Sequence, residues 1–147
     1  MIYAENRRVY HDYEILEKYE AGIVLEGHEV KAVKTGKISI AGSYVKVIDG
    51  EVWLLGAVIS PYQPLNIRKD YDPQRSRKLL LSKKEISGLV GKSAEKGLTI
   101  VPLRVYPKRS LIKIEIGLAK ARKKYDKRAS IRKKEQKRKI ERALKQY

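Results

Sequence analysis

SYVKVIDGEVWLLGAVIS, residues 43–60, sets two β-rich runs on either side of Asp49-Gly50. A two-residue hairpin of type I′ needs positive φ at both central positions, and Asp-Gly is a pair that adopts it. The stretch therefore predicts a hairpin. Farther along, Leu98–Tyr106 and Leu111–Gly117 predict a second strand pair, turned by Pro107–Ser110. There Ile112, Ile114 and Ile116 point one way while Lys113 and Glu115 point the other, the period of a half-buried strand. Several short strands with one-sided faces predict a mainly β body with some helix. A small closed β-barrel of the oligonucleotide-binding (OB-like) kind matches the size.

Between the two hairpins, Pro61–Lys78 holds three prolines (Pro61, Pro64, Pro73) and five basic residues (Arg68, Lys69, Arg75, Arg77, Lys78). It predicts a long loop, and loops over ~12 residues inside a compact domain are commonly functional. A basic loop suits a phosphate backbone, with Arg75, Arg77 and Lys78 as its candidate contacts. Ser82-Lys83-Lys84-Glu85 is a capping box, in which the Ser hydroxyl takes the N3 amide and the Glu reaches back to the cap amide. A helix follows, with Ile86, Leu89 and Val90 as its apolar face and Gly91 as its end. Gly91-Lys92-Ser93 superficially resembles a phosphate loop, but that motif needs glycine at position 86, where Ile86 stands.

Upstream of the first hairpin the pattern is less decided. In Glu20–Gly36, His28, Val30 and Ala32 alternate with Glu29 and Lys31, as in a strand. Lys31 and Lys34 just before Gly36 fit a last helical turn with a C′ glycine, and the reading leans to helix. Tyr13–Tyr19 fits a short strand or the start of a helix. Residues 1–13 bring Arg7, Arg8 and His11 close to Tyr10 and Tyr13. Such interleaving suits phosphate contact with base stacking, although an ordinary surface strand with packed tyrosines accounts for it more simply.

Composition narrows the chemistry. The 147 residues suit one domain plus an arm. The absence of Cys excludes a disulfide framework, thiol catalysis and Cys-based zinc. Two histidines are too few for most His-based metal sites, so neither metal nor cofactor is expected. No apolar run approaches the ~20 residues of a membrane-spanning helix, and the expected location is the cytosol. The net charge is +17, and it is unevenly spread. Leu118–Tyr147 carries fourteen Lys or Arg against Asp126, Glu135 and Glu141, a net of +11, leaving +6 for the other 117 residues. So dense a segment has too few apolar groups to offset the entropy of ordering. It predicts two parts: an OB-like barrel over 1–117 and a basic tail over 118–147, disordered when free and helical on a polyanion. Ile140, Ala143, Leu144 and Tyr147 form too thin an apolar stripe for a membrane surface, so the polyanion is a nucleic acid.

An ordered series of short strings runs through the chain: Asn6-Arg7 with His11 and Tyr13, Glu20-Ala21-Gly22, Gly27-x-Glu29-Val30-Lys31, Gly36-Lys37, Ser43-Tyr44, Gly50-Glu51 and Pro61-Tyr62. The longest, Asp72-Pro73-x-Arg75-x-Arg77-Lys78-Leu79-Leu80-Leu81, precedes Glu85-Ile86, Gly97-x-Thr99-x-Val101-Pro102-Leu103, Lys120 and Asp126-Lys127-Arg128. In order and spacing the series resembles the SsrA-binding protein (SmpB) family. The resemblance implies an OB-like barrel with about three helices, and adds RNA binding to the barrel over 1–117. It also implies a non-enzymatic protein that binds the tRNA-like part of transfer-messenger RNA and accompanies it to stalled ribosomes for trans-translation. The implied partners are that RNA, the decoding-region rRNA of the small subunit and, through the RNA complex, elongation factor Tu; no membrane is implied, and a monomer is expected.

Carried over residue by residue, Asn6 and Glu20 match RNA-binding positions, with Arg7, His11 and Lys31 as neighbours. In the tail, Asp126, Lys127 and Arg128 match the motif that engages the decoding region, within a root comprising Lys120, Lys123, Lys124 and Tyr125. Asn6 can bond a base edge or a 2′-hydroxyl. Glu20 repels phosphate, so it suits exocyclic amines, hydroxyls, or the orientation of Lys31 or Arg7; a surface salt bridge is the equal alternative. Ala121 replaces a glycine usual in the family, which removes positive φ at the root of the tail. Two other classes compete: a ribosomal or assembly protein with a basic arm, and an RNA-processing enzyme on an OB-like scaffold. The motif series disfavours the first, and the sparse His and missing acidic cluster disfavour the second.

Overall fold

The computed structural model describes residues 1–63, 70–122 and 134–139. In chain order the elements are β1 (Ala4–Glu5), α1 (Val9–Asp12), β2 (Tyr13–Ile23), α2 (Gly27–Lys34), β3 (Ile38–Ser39), β4 (Tyr44–Ile48) and β5 (Glu51–Leu55). β6 (Val58–Ile59), β7 (Arg77–Leu80), α3 (Lys83–Ser93), β8 (Leu98–Lys108) and β9 (Leu111–Ala121) follow. Strands β8, β4, β5, β7, β2 and β9 pair in that order, and a β8–β9 pairing closes them into a six-stranded ring. β1 adds to β8, and β3 and β6 form a separate two-stranded ladder. This is the mainly β, closed architecture that the strand pattern predicts.

Each hairpin rests on local chemistry. Asp49 and Gly50 have φ of 50° and 76°, as the type I′ turn between β4 and β5 requires. β8 and β9 are longer than the sequence indicated, and their turn is tighter, at Arg109-Ser110, with Arg109 at φ 58°. Inward-facing Val52, Leu54, Leu79, Ile100, Val105, Ile114 and Ile116 fill the ring, with Ala32 and Val33 of α2 and Leu89 of α3 in the same cluster. A smaller cluster of Val9, Val101, Leu103 and Ala119, with Tyr13 and Ile15, forms where α1 covers the ring. A β-bulge between Pro102 and Arg104 switches which β8 residues face inward, and so allows one strand to serve both clusters.

Several expectations need correction. The segment Glu20–Gly36 divides: Glu20–Ile23 completes strand β2, and only Gly27–Lys34 is helix. The helical half ends as predicted, with Gly36 at φ 80° and the Gly36 and Lys37 amides donating to Val33 O and Ala32 O, the paired bonds of a Schellman cap. Residues 1–13 hold a two-residue strand and one helical turn rather than a single surface strand. The long loop is shorter than 61–78, because Arg77 and Lys78 begin β7; Arg68 and Lys69 lie outside the described residues. Gly91 does not end α3, which continues to Ser93, and Val90 is exposed rather than part of its buried face.

The body also extends past Gly117. β9 runs to Ala121, with Leu118 and Ala119 buried in the two clusters. Ala121 pairs with Tyr13, so the position without glycine is extended strand and not a hinge. Arg122 closes the unit, its amide donating to Asp12 O at 2.9 Å and its Nε to Tyr13 O at 3.3 Å.

The capping box at α3 is complete: Glu85 N donates to Ser82 Oγ at 3.1 Å, and Ser82 N donates to Glu85 Oε1 at 3.2 Å. Replacing Ser82 by Ala should cost about 1 kcal/mol, read as an earlier urea midpoint at unchanged slope. An unchanged midpoint would mean that the cap is idle.

Candidate nucleic-acid interface

Two of the carried-over residues, Asn6 and Glu20, are both held by one strand, β8. Asn6, buried, donates from Nδ2 to Pro102 O at 3.1 Å, and its backbone amide donates to Leu103 O at 2.8 Å. These bonds hold the β1–α1 segment against the bulge. Asn6 also lines a recess of about 660 Å³ between α1 and residues 41–44, shared with Arg8, Asp12, Tyr13, Tyr44 and Thr99. Arg7, almost wholly exposed, donates to Glu5, whose partner in register is Arg104.

Four residues beyond Pro102, about 13 Å along the strand, lies Tyr106. Its hydroxyl donates to Glu20 Oε2 at 2.5 Å, and Lys108 Nζ donates to Oε1 at 2.9 Å. The Tyr106 hydroxyl, and Lys108 after it, hold the Glu20 carboxyl below its ordinary range. Partial burial, then the Glu20 bond, raises the Tyr106 phenol well above its usual range. Glu20 thus presents an ionised acceptor among cations. Of the sequence alternatives, the surface salt bridge is the one the structure shows, and neither Lys31 nor Arg7 is the partner. The partners are two β8 side chains more than eighty positions away.

Register explains the grouping. Glu5, Arg104, Glu115 and Glu20 stand opposite one another across β1, β8, β9 and β2, and residues so aligned share the outer face of the ring. Arg104 donates to Glu115 at 3.4 Å and stacks its guanidinium 4.7 Å from the Tyr106 ring centre. On the same face Lys18 lies 5.9 Å from the Tyr10 ring centre. Basic groups laid over aromatic rings form a surface suited to phosphate and base together.

Other candidates fall elsewhere. His11, on α1, accepts from Lys134 Nζ at 3.2 Å, within reach of helical residues 134–139. Lys31 is an exposed residue of α2, with no bond to β8 among the described residues. Lys78 is half-exposed and paired with Glu51 at 3.2 Å. Lys120 is an exposed residue of β9. Lys123, Lys124, Tyr125, Asp126, Lys127 and Arg128 lie outside the described residues.

Arg77 needs correction as a phosphate contact. Its side chain is fully buried and committed: Nη2 and Nε donate to Glu29 Oε2 at 2.7 and 3.1 Å, and Nη1 donates to Ala57 O at 2.8 Å. Arg75 donates to both oxygens of the same carboxylate, and the Tyr71 hydroxyl lies 3.0 Å from Oε2. Glu29 is itself fully buried. Burial alone would push its carboxyl up; the Arg75 bonds, the Glu26 amide and Arg77 outweigh that and hold it at about 2. This cluster ties α2 to β7, and the sequence reading missed it. The signal was present in two quoted strings, Gly27-x-Glu29 and Arg75-x-Arg77, whose charges are complementary.

Among the described residues no group of three or more His, Asp or Glu is placed to hold a metal ion, and no helix is long and apolar enough to cross a membrane. A small closed ring of strands with a basic, aromatic outer face and a basic tail defines a nucleic-acid-binding protein. The family model for SmpB protein matches residues 3–146, and the chain belongs to that family. It is 52% identical to the SsrA-binding protein of Carboxydothermus hydrogenoformans, over 97% of this chain and 95% of the relative. The SsrA-binding protein of a Sulfurihydrogenibium species is 53% identical over 98% and 94%. A chain from the solved structure described as "tmRNA-SmpB: a journey to the center of the bacterial ribosome" superposes with a TM-score of 0.67. It is 46% identical, over 87% of this chain and 93% of that one.

Proposed function

We propose that the outer β1–β8–β9–β2 face binds the tRNA-like part of transfer-messenger RNA, and that the protein carries this RNA to stalled ribosomes for trans-translation in the cytoplasm. It does so by binding alone, with no catalytic step. The observation that carries this reading is the convergence of Asn6 and Glu20, fourteen residues apart in sequence, on one strand of a chain that matches its family from end to end. The basic tail supplies the second surface, engaging the decoding centre and the empty messenger channel through Lys120–Arg128. Arg75, bonded to Glu29, and Lys78, which is paired with Glu51 and lies on the β7 strand that adjoins β2, are left as secondary contacts.

The face supports recognition by shape and hydroxyl contacts. Glu20, ionised and held by Tyr106 and Lys108, accepts from a 2′-hydroxyl or an exocyclic amine, and the cations around it offset its repulsion of phosphate. Glu20→Ala and Asn6→Ala should each weaken binding to the isolated tRNA-like RNA about tenfold, one hydrogen bond to a charged or buried group. Neither residue is a cation, so the slope of log affinity against log salt should stay as in the wild type. Equal affinity for all three proteins would remove both residues from the interface.

A further inference from the structure

Gly22 stands near the end of β2 with Leu80 of β7 opposite it on one side and Lys113 of β9 on the other. The fold makes no evident demand for glycine at this position. Its φ is not in the left-handed region, and the register runs evenly through it, the β2 bulge lying between Ile15 and Glu17. An added Cβ would lie 3.4 Å from Leu80 Cβ and 3.8 Å from Lys113 Nζ, ordinary contacts. Gly117 differs, because a Cβ there would come within 3.0 Å of Ile15 Cγ2. Glycine weakens a strand interior, and one use that offsets the cost is the close approach of a ligand or another backbone.

The surroundings say what could approach. Lys18, Glu20 and Gly22 alternate onto one face of β2, and Tyr106 lies opposite Lys113 in register. Lys108 and Arg104 are paired with Glu20 and Glu115. Lys18 and Lys113 have no carboxylate at ion-pair distance among the described residues. The bare strand at Gly22 is therefore bordered by an unpaired ammonium, with an ionised acceptor two residues away, about 7 Å, and a second unpaired ammonium beyond it.

We propose that Gly22 is the landing point for one ribose–phosphate segment of the bound RNA. The sugar packs directly on the strand, its 2′-hydroxyl directed to Glu20 and its flanking phosphates to Lys113 and Lys18. This rests on the functional reading above and adds which piece of the RNA the face takes. Two cations without an ion-pair carboxylate, set on either side of an ionised acceptor, match a sugar–phosphate chain better than a protein surface. A side chain at position 22 would lift the sugar away, and one larger than alanine would also crowd Lys113.

The test compares wild type, Gly22→Ala and Gly22→Leu for binding to the isolated tRNA-like RNA, with thermal unfolding of each and wild-type amide NMR signals on RNA addition. The expected result is a loss of about threefold for Ala and at least tenfold for Leu, Tm values within a few degrees, and shifted wild-type signals at Gly22 and Lys113. Wild-type affinity in a folded Gly22→Leu protein would overturn the proposal alone. If that variant does not fold, unmoved Gly22 and Lys113 signals in the RNA-bound wild type would overturn it. A wild type that does not bind the tRNA-like RNA would overturn the functional reading, and this proposal with it.

Discussion

Replacing Glu29 by Gln lowers stability by about 3–5 kcal/mol, because it leaves the fully buried Arg77 guanidinium without a counter-charge in a site that water does not reach. Arg75, about one-third exposed, can turn to solvent and adds less to the loss. Urea unfolding at neutral pH is the measurement, and a loss below about 1 kcal/mol would contradict the account. The same cluster sets an acid limit. The Glu29 carboxyl sits at about 2 when folded against an ordinary value of 4.5, so it is depressed. Its contribution is complete above the ordinary value and is lost as pH falls from about 4.5 towards 2. Glu29→Gln should lack that part of the acid sensitivity.

Truncation after Arg122 abolishes tagging on stalled ribosomes while leaving affinity for the isolated tRNA-like RNA within about an order of magnitude at physiological salt. It removes twelve basic and three acidic residues and keeps every buried residue of β9. The cut site matters. Ending the chain at Gly117 would strip Leu118 and Ala119 from the core and confuse unfolding with loss of the tail. Collapse of RNA binding in the longer truncation, at unchanged Tm, would refute the division of labour between body and tail.

The strands were legible where local chemistry decides them. Asp49-Gly50 admits few alternatives, and the isoleucines of β9 alternate cleanly. The boundary between β2 and α2 was hidden, because Val24 and Leu25 continue the apolar run of β2 towards Gly27, and the cap at Glu26 depends on Glu29. Arg77 was misjudged for a different reason. In a proline-rich basic stretch it resembles its neighbours, and only β7 pairing shows that Arg77 and Leu79 face inward while Lys78 and Leu80 face out. Its counter-charge is 48 positions away, a distance no local pattern spans. The same holds for Glu20, whose partners Tyr106 and Lys108 are brought near by ring closure. Asn6 and Glu20 could be named from the resemblance, whereas their alignment along β8 could not.

Whether the body alone selects a tRNA-like RNA is read by sequencing the RNA that co-purifies with the chain truncated after Arg122. The expected result is one dominant species with a tRNA-like end, retained in salt that removes ribosomal RNA. A mixture of ribosomal RNA fragments, with no tRNA-like species enriched over the full-length chain's background, would contradict it.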